Sequence, residues 1–311
     1  MQMLSLASLG VGIACGAASL VLIRRLTRYR PPKHWVPCSS SGSSFSGLNA
    51  PTAGARTKTE LPIGDQEIQL YSLATPNGTK AAIMLEEICE SSPSFDYDAW
   101  RVTINGTQFG SGFVDINPNS KIPAMVDRST SPPTRVFESG AILIFLAEKY
   151  ERSDLLPKAG PLRAEVLSWL MWQMSSAPFL GGGFGHFFNY APEPMEYPIN
   201  RFAMEVKRQL DLLDQLLSTR EYIAGDFYSI ADIAIWPWYG AMVLGRLYNA
   251  AEFLQVRSYK HILRWAKMIE ESRPAVRRGR MVTRSSPDSA NALYASLPAL
   301  KERHSRADWK Q

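Results

Sequence analysis

The stretch LYSLATPNGTK, Leu70 to Lys80, decides the fold. Its first residues end EIQLYSL (Glu67 to Leu73), an alternating run rich in aromatic and β-branched residues that reads as a strand. Pro76-Asn77-Gly78 is a turn, and the apolar residues from Gly78 to Cys89 form a short helix. A strand that turns into a helix N-terminus is where thiol-transfer folds keep a reactive cysteine, because the helix end favours a thiolate. Here Thr75, Pro76 and Asn77 occupy that junction. The cysteines are Cys15, Cys38 and Cys89, an odd number without paired spacing and so no disulfide framework. Cys89 is on the same helix, but at 1.5 Å rise per residue it lies roughly 18 Å beyond Asn77. Whose thiol a reaction at this junction would use is left open by the local sequence.

The elements further along agree with that start. DAWRVTI (Asp98 to Ile104) is a second strand, NPNSKIPAMV a turn and a short strand opened by Ile122-Pro123, and TRVFES a fourth strand. SGAILIFLAEKY, Ser139 to Tyr150, is an apolar helix. The order β-α-β then β-β-α, with a proline opening the third strand, is that of an α/β thioredoxin-like domain over residues 67–153. After Ser153 the strand pattern stops. RAEVLSWLMWQM is helical, and Ile199, Phe202, Val206, Leu210, Leu213 and Leu217 recur at spacings of three and four, the buried stripe of another helix. In SIADIAIWPWYGAMVL, Ser229 and Asp232 form a close relative of a capping box. An all-α domain is expected over 160–285 and a loose tail over 286–311.

Residues 34–66 are rich in Ser, Gly, Pro and Thr and cannot fold alone. They read either as a flexible tether or as an extended arm on the domain, with Asn49 near a site. Before them, LSLASLGVGIACGAASLVLI, Leu4 to Ile23, carries no charge and is long enough to span a bilayer as a helix. Its positive charge follows the run rather than preceding it, unlike a cleaved signal peptide. The expectation is an N-terminal membrane-spanning anchor over 1–33 with the globular part in the cytosol, on the mitochondrial outer membrane or endoplasmic reticulum. Removal of the segment, leaving the rest in an organellar matrix, is the alternative.

Arg24, Arg25, Arg28, Arg30 and Lys33 account for the whole net charge of +5, so the remainder is neutral overall, which argues against a nucleic-acid partner. RPAVRRGR (Arg273 to Arg280) then reads as local capping or packing. His34, His186, His261 and His304 show no ligand spacing, so no metal is expected. GGGFGH, Gly181 to His186, lies between helices and not after a strand, so it is no dinucleotide fingerprint. It reads as a tight loop near a pocket mouth, with His186, Phe187 and Tyr190 either lining a second-substrate side or packing.

The segments LYSLATPNGTKAAIMLEE, QFGSGFVDINPNSKIPA, RVFESGAILIFLAEKY, APFLGGGFGHFFNYAPEP, INRFAMEVKRQLDLLD, YSIADIAIWPW and AAEFLQVRSYKHILRWAK, with RPAVRRGR, resemble the Nu-class glutathione transferases, the bacterial glutathione-dependent disulfide-bond oxidoreductases. The resemblance covers roughly residues 35–285 and leaves out the N-terminal apolar segment and the tail. It implies the glutathione transferase architecture and one pocket that holds two glutathione molecules, or one oxidised glutathione, per subunit of a homodimer.

The resemblance also implies roles. Thr75 and Asn77 act on the glutathione thiol beside Pro76. Ile122, before a cis Pro123, pairs by its backbone with the cysteinyl part. Glu138 and Ser139, where a strand ends and a helix opens, hold the γ-glutamyl amine and carboxylate. Gln108 and Lys121 lie toward the glycyl end, and Asn49 helps hold the second molecule. For Glu138-Ser139 a plain helix cap, and for Gln108 and Lys121 plain surface polarity, are the competing readings. The expected activity is reduction of a small-molecule or protein disulfide by bound glutathione thiols, with transferase or peroxidase side activity. The alternative is a non-catalytic glutathione-transferase-like regulator or scaffold at a membrane.

Overall fold

The computed structural model of the chain describes residues 32–35, Leu48, residues 50–284 and residues 303–304. The chain divides into two compact units, Met1–Ser41 and Gly42–Gln311, and the fold described below is that of the second. The apolar run Leu4 to Ile23, Cys15, Cys38 and Asn49 lie outside the described residues. Among the described residues no helix is long and apolar enough to cross a membrane.

The unit combines a thioredoxin-like mixed sheet with a helical domain. Strands β1 (Ile68–Ser72), β2 (Asp98–Arg101), β3 (Ala124–Asp127) and β4 (Thr134–Phe137) are joined by a two-residue strand, β5 (Arg303–His304), in the order β4-β3-β1-β2-β5. β1 and β2 are parallel, with Leu70 opposite Ala99, and β3 runs antiparallel to β1, with Leu70 opposite Met125. β5 pairs antiparallel with β2, Ala99 facing His304, so two residues of the expected tail close one sheet edge. Among the described residues this half also has the α-helices α1 (Pro76–Ser91), α2 (Ser111–Ile116) and α3 (Ser139–Lys149), with a 3₁₀ turn at Thr107–Phe109.

α1 is the spine of the unit, and every residue from Gly78 to Cys89 is buried. Its apolar residues are therefore not confined to one stripe, and the charged residues buried among them need partners. Its acids are paired. Glu86 accepts from the Tyr97 hydroxyl at 2.6 Å and from Arg278 Nε at 2.6 Å, and Glu87 lies 3.6 Å from Arg273. Both arginines come from RPAVRRGR, where α8 (Pro274–Gly279) lies against α1. Arg277 donates to the Glu270 carbonyl at 2.6 Å and Arg280 pairs with Glu270 at 2.6 Å. The basic cluster is therefore spent on local packing.

The helical half comprises α4 (Gly160–Pro178), a π-helical segment Phe179–Tyr190, α5 (Glu196–Leu217), α6 (Ile230–Ile235), a second π-helical segment Trp236–Gly240, α7 (Lys260–Ser272) and α8. The first π-helical segment corrects the tight loop expected for GGGFGH. The glycines are tolerated because Gly183 and Gly185 sit against the Phe202 and Tyr248 rings, which leave no room for larger side chains. The helix is thus held by packing rather than by propensity. α6 is buried throughout and opens on a full capping box. Ser229 Oγ accepts from Ala231 N–H at 3.2 Å, while Asp232 accepts from Ser229 N–H at 3.0 Å.

Residues 50–66 form an arm laid on the domain, which settles the choice between arm and tether for that part. Thr57 makes a parallel bridge to Gly110, Arg56 N–H donates to Phe109 O at 2.8 Å, and Gly112 N–H donates to Thr59 O at 2.8 Å. The Arg56 guanidinium lies 3.5 Å from the centre of the Phe109 ring.

Candidate functional site

The junction between β1 and α1 is built as its sequence suggests. Thr75 caps α1 from an extended conformation, and its Oγ1 accepts from Gly78 N–H at 3.3 Å. Position 78 has to be glycine, since a Cβ there would lie 1.8 Å from the Leu73 carbonyl oxygen. Asn77, half-buried as the second residue of α1, meets a residue that sequence reading did not find. Trp238, from the second π-helical segment, donates its indole N–H to Asn77 Oδ1 at 2.8 Å. An indole nitrogen only donates, so this bond fixes which end of the Asn77 amide is oxygen. Trp238 is seated in turn against Gly181, where a Cβ would come within 2.5 Å of its ring.

These contacts have one chemical consequence. The acceptor atoms of Thr75 and Asn77 are both engaged by protein donors. What they retain for a ligand is the Thr75 O–H and the Asn77 NH₂, two donors at the positive end of α1. Donors at a helix N-terminus stabilise an anion, and a thiolate is such an anion.

Ile122-Pro123 is cis, as expected, and stands immediately before β3 with both residues buried. Gln108 is buried, and its amide is turned to its own loop, accepting from Gly106 N–H at 2.9 Å and donating to Ile104 O at 3.4 Å. Lys121 is exposed, and its carbonyl accepts from Asn117 Nδ2. The Gln108 contacts are those of a residue that shapes its loop.

At the start of α3, Glu138 is exposed with φ 71° and ψ 123°, a strained conformation for a residue with a side chain. Ser139 is buried, and among the described residues no side chain caps the first N–H groups of the helix. An uncapped helix start of this kind is an anion site. Beneath it lies Lys80, which donates to Gln173 Oε1 at 2.6 Å and contacts Ser139 Oγ at 3.4 Å. Burial pushes the Lys80 ammonium down to about 7, with Glu138 acting in the opposite direction.

His186, Phe187 and Tyr190 lie on the first π-helical segment. The His186 ring meets Phe187 edge-on at 4.9 Å, Phe187 stacks on Phe202 at 5.7 Å, and Tyr190 meets Tyr248 at 5.8 Å. Their contacts are aromatic packing, and the segment touches the junction through Gly181 and Trp238. Lys80, Gln173 and Trp238 are the residues sequence reading missed. Only Lys80 left a signal, as a lone cation in the apolar run of α1 three residues after Asn77.

Known proteins share this architecture. A family model described as nuclear-export cofactor Arc1p matches residues 199–273, within the helical half. The disulfide-bond oxidoreductase YghU of Escherichia coli (strain K12) is 51% identical over 284 residues, covering 91% of this chain and 95% of that protein. A crystal structure of glutathione transferase YghU from Streptococcus pneumoniae, complexed with glutathione, superposes with a TM-score of 0.79 at 55% identity, covering 83% of this chain and 99% of that one. A glutathione transferase family member from Pseudomonas fluorescens, with two glutathione bound, does so with a TM-score of 0.63 at 39% identity, covering 70% and 93%.

Proposed function

From its membership of the glutathione-transferase family of disulfide-bond oxidoreductases, to which this chain belongs, we propose that it is an enzyme that reduces disulfides with glutathione. Bound glutathione supplies the thiols: two of them give two electrons and two protons to one disulfide, whose sulfurs leave as thiols while the two glutathione sulfurs join. The chain's own residues bind and orient. The α3 N-terminus with Ser139 takes the γ-glutamyl carboxylate, Glu138 the amine, and the Ile122 backbone the cysteinyl peptide group. Thr75 O–H and Asn77 NH₂ donate to the sulfur and favour its thiolate form.

The observation that carries this reading is the occupied acceptor side of both Thr75 and Asn77. Cys89 does not compete as nucleophile, because it is buried near the far end of α1, away from the junction. Disulfide turnover coupled to recycling of oxidised glutathione, measured beside glutathione binding, tests the roles. Asn77→Ala is expected to lower turnover about 10- to 150-fold, the worth of a hydrogen bond to a charged group, with binding little changed. Ser139→Ala is expected to do the reverse. Wild-type turnover in Asn77→Ala would reduce the junction to a structural turn.

Two further features belong to the proposal. The chain acts as a homodimer, as the architecture suggests. The run Leu4 to Ile23, followed by Arg24 and Arg25, tethers the enzyme to a membrane with its catalytic part in the cytosol, a reading that rests on charge and hydropathy.

A further inference from the structure

We propose that Lys80 is the buried counter-ion of the carboxylate held at the start of α3, so that glutathione binding at this site takes up a proton. The inference rests on the reading of glutathione as the ligand and adds to it a charge that acts through Ser139. Lys80 is a positioning residue in this scheme, since its Nζ reaches Ser139 Oγ at 3.4 Å rather than the ligand position itself.

The geometry is unusual for a lysine. Lys80 is 1% exposed, yet among the described residues no carboxylate lies within ion-pair distance of it. A buried ammonium without a counter-charge is costly. Its partners are neutral: Gln173 Oε1 from α4, and Ser139 Oγ from α3. Gln173 is itself fully buried, and among the described residues its Nε2 has no partner, a donor left over in the same cluster. Ser139 is the first residue of a helix whose N-terminus no side chain among the described residues caps. An anion above Ser139 completes the arrangement.

The other charges around α1 are committed elsewhere. On α1 itself Glu86 and Glu90 pair with Arg278, and Glu87 with Arg273. On α6, Asp232 accepts from Ser229, Ile223 and Trp265. On α3, Glu148 pairs with Arg163 and Lys149 with Asp127. On α4, Glu165 pairs with Arg220. Glu138, exposed at the start of α3, is the charge that acts on Lys80, and it partly opposes the effect of burial.

The direction of the linkage follows. Without ligand, the Lys80 ammonium loses its proton around pH 7. A carboxylate at α3 favours the ammonium and raises that pKa. Below about pH 7 the lysine is already charged and binding moves no proton. Above it, binding must recharge the lysine, so affinity falls as pH rises, by up to about tenfold per pH unit.

The test uses S-methylglutathione, which keeps the carboxylates and amine but has no ionisable thiol. Titration calorimetry of the full chain at about pH 8, in buffers of different ionisation enthalpy, counts the protons moved. About 0.5 to 0.9 proton should be taken up per site, and affinity should be about tenfold weaker at pH 8 than at pH 6. Lys80→Met should bind more weakly and lose both the uptake and the pH dependence. A second measurement needs no variant: in protein labelled at the lysine Cε, one resonance should titrate near pH 7 without ligand and stay in its ammonium position at pH 8 with saturating S-methylglutathione. Binding without proton uptake, uptake that persists in Lys80→Met, or no such resonance would each overturn the proposal while leaving glutathione as the ligand. Absence of binding to the wild type at every pH would overturn both.

Discussion

Asn77 shows how much of a site rests on one atom's orientation. An asparagine amide presents either a donor or an acceptor to a ligand, and the two are opposite in effect on a thiolate. The Trp238 indole N–H, 2.8 Å from Oδ1, selects the donor. Trp238→Phe keeps an aromatic ring at this position but removes the N–H, together with the outer ring atoms that lie beside Gly181. Turnover should fall about 2- to 12-fold, the worth of one neutral hydrogen bond, with glutathione affinity unchanged. The pH profile of turnover should move to higher pH as the thiol becomes harder to ionise, a shift that a purely structural role for Trp238 would not produce. An unaltered profile at wild-type rate would show that Asn77 holds its orientation without the indole.

At the scale of elements, α6 is the clearest case of sequence and packing agreeing. Ser229 and Asp232 predict a helix start, and the structure has the full reciprocal cap there. Asp232 does more than a cap requires. It also accepts from Ile223 N–H at 3.0 Å and from the Trp265 indole N–H at 2.9 Å, tying the loop before α6 and the face of α7 to one carboxylate. Asp232→Ala would strand several buried donors, each costing about 1–3 kcal/mol. It should destabilise the protein by about 3 kcal/mol or more, whereas Ser229→Ala should cost about 1 kcal/mol. Denaturant midpoints with unchanged slopes would measure both, and equal losses would mean that Asp232 serves only the cap.

The unit Gly42–Gln311 is organised around α1, which carries the junction at one end and packs between the sheet and the helical half. The arm of residues 50–66 is part of that body. Its backbone bonds to residues 109–112, and the Tyr71 hydroxyl donates to Pro62 O at 2.7 Å. A chain beginning at residue 34 therefore keeps the arm and loses only the apolar run and its basic flank. Residues 34–311 should be soluble with wild-type turnover, and the full-length chain should remain in a carbonate-washed membrane pellet. Recovery of the full-length chain in the soluble fraction would remove the tether from the proposal and leave the enzyme intact.

A resemblance over whole segments supplied the candidates Thr75, Asn77, Pro123, Glu138 and Ser139; the sequence by itself determined the strand, turn and helix around Leu70 to Lys80, the succession of strands along the chain up to Ser139, the helical stripe of α5 and the capping pair of α6. Each of these is written within a few neighbouring residues, as a period, a turn residue or a cap, so local chemistry is enough to read it. Tertiary structure alone decided that GGGFGH is helical, because aromatic rings from Phe202 and Tyr248 fill the space its glycines leave. It alone brought Trp238 to Asn77 across 161 positions and Gln173 to Lys80 across 93. Contacts at that separation depend on how α1 is wedged between the sheet and the helices, and no short stretch of sequence records that geometry.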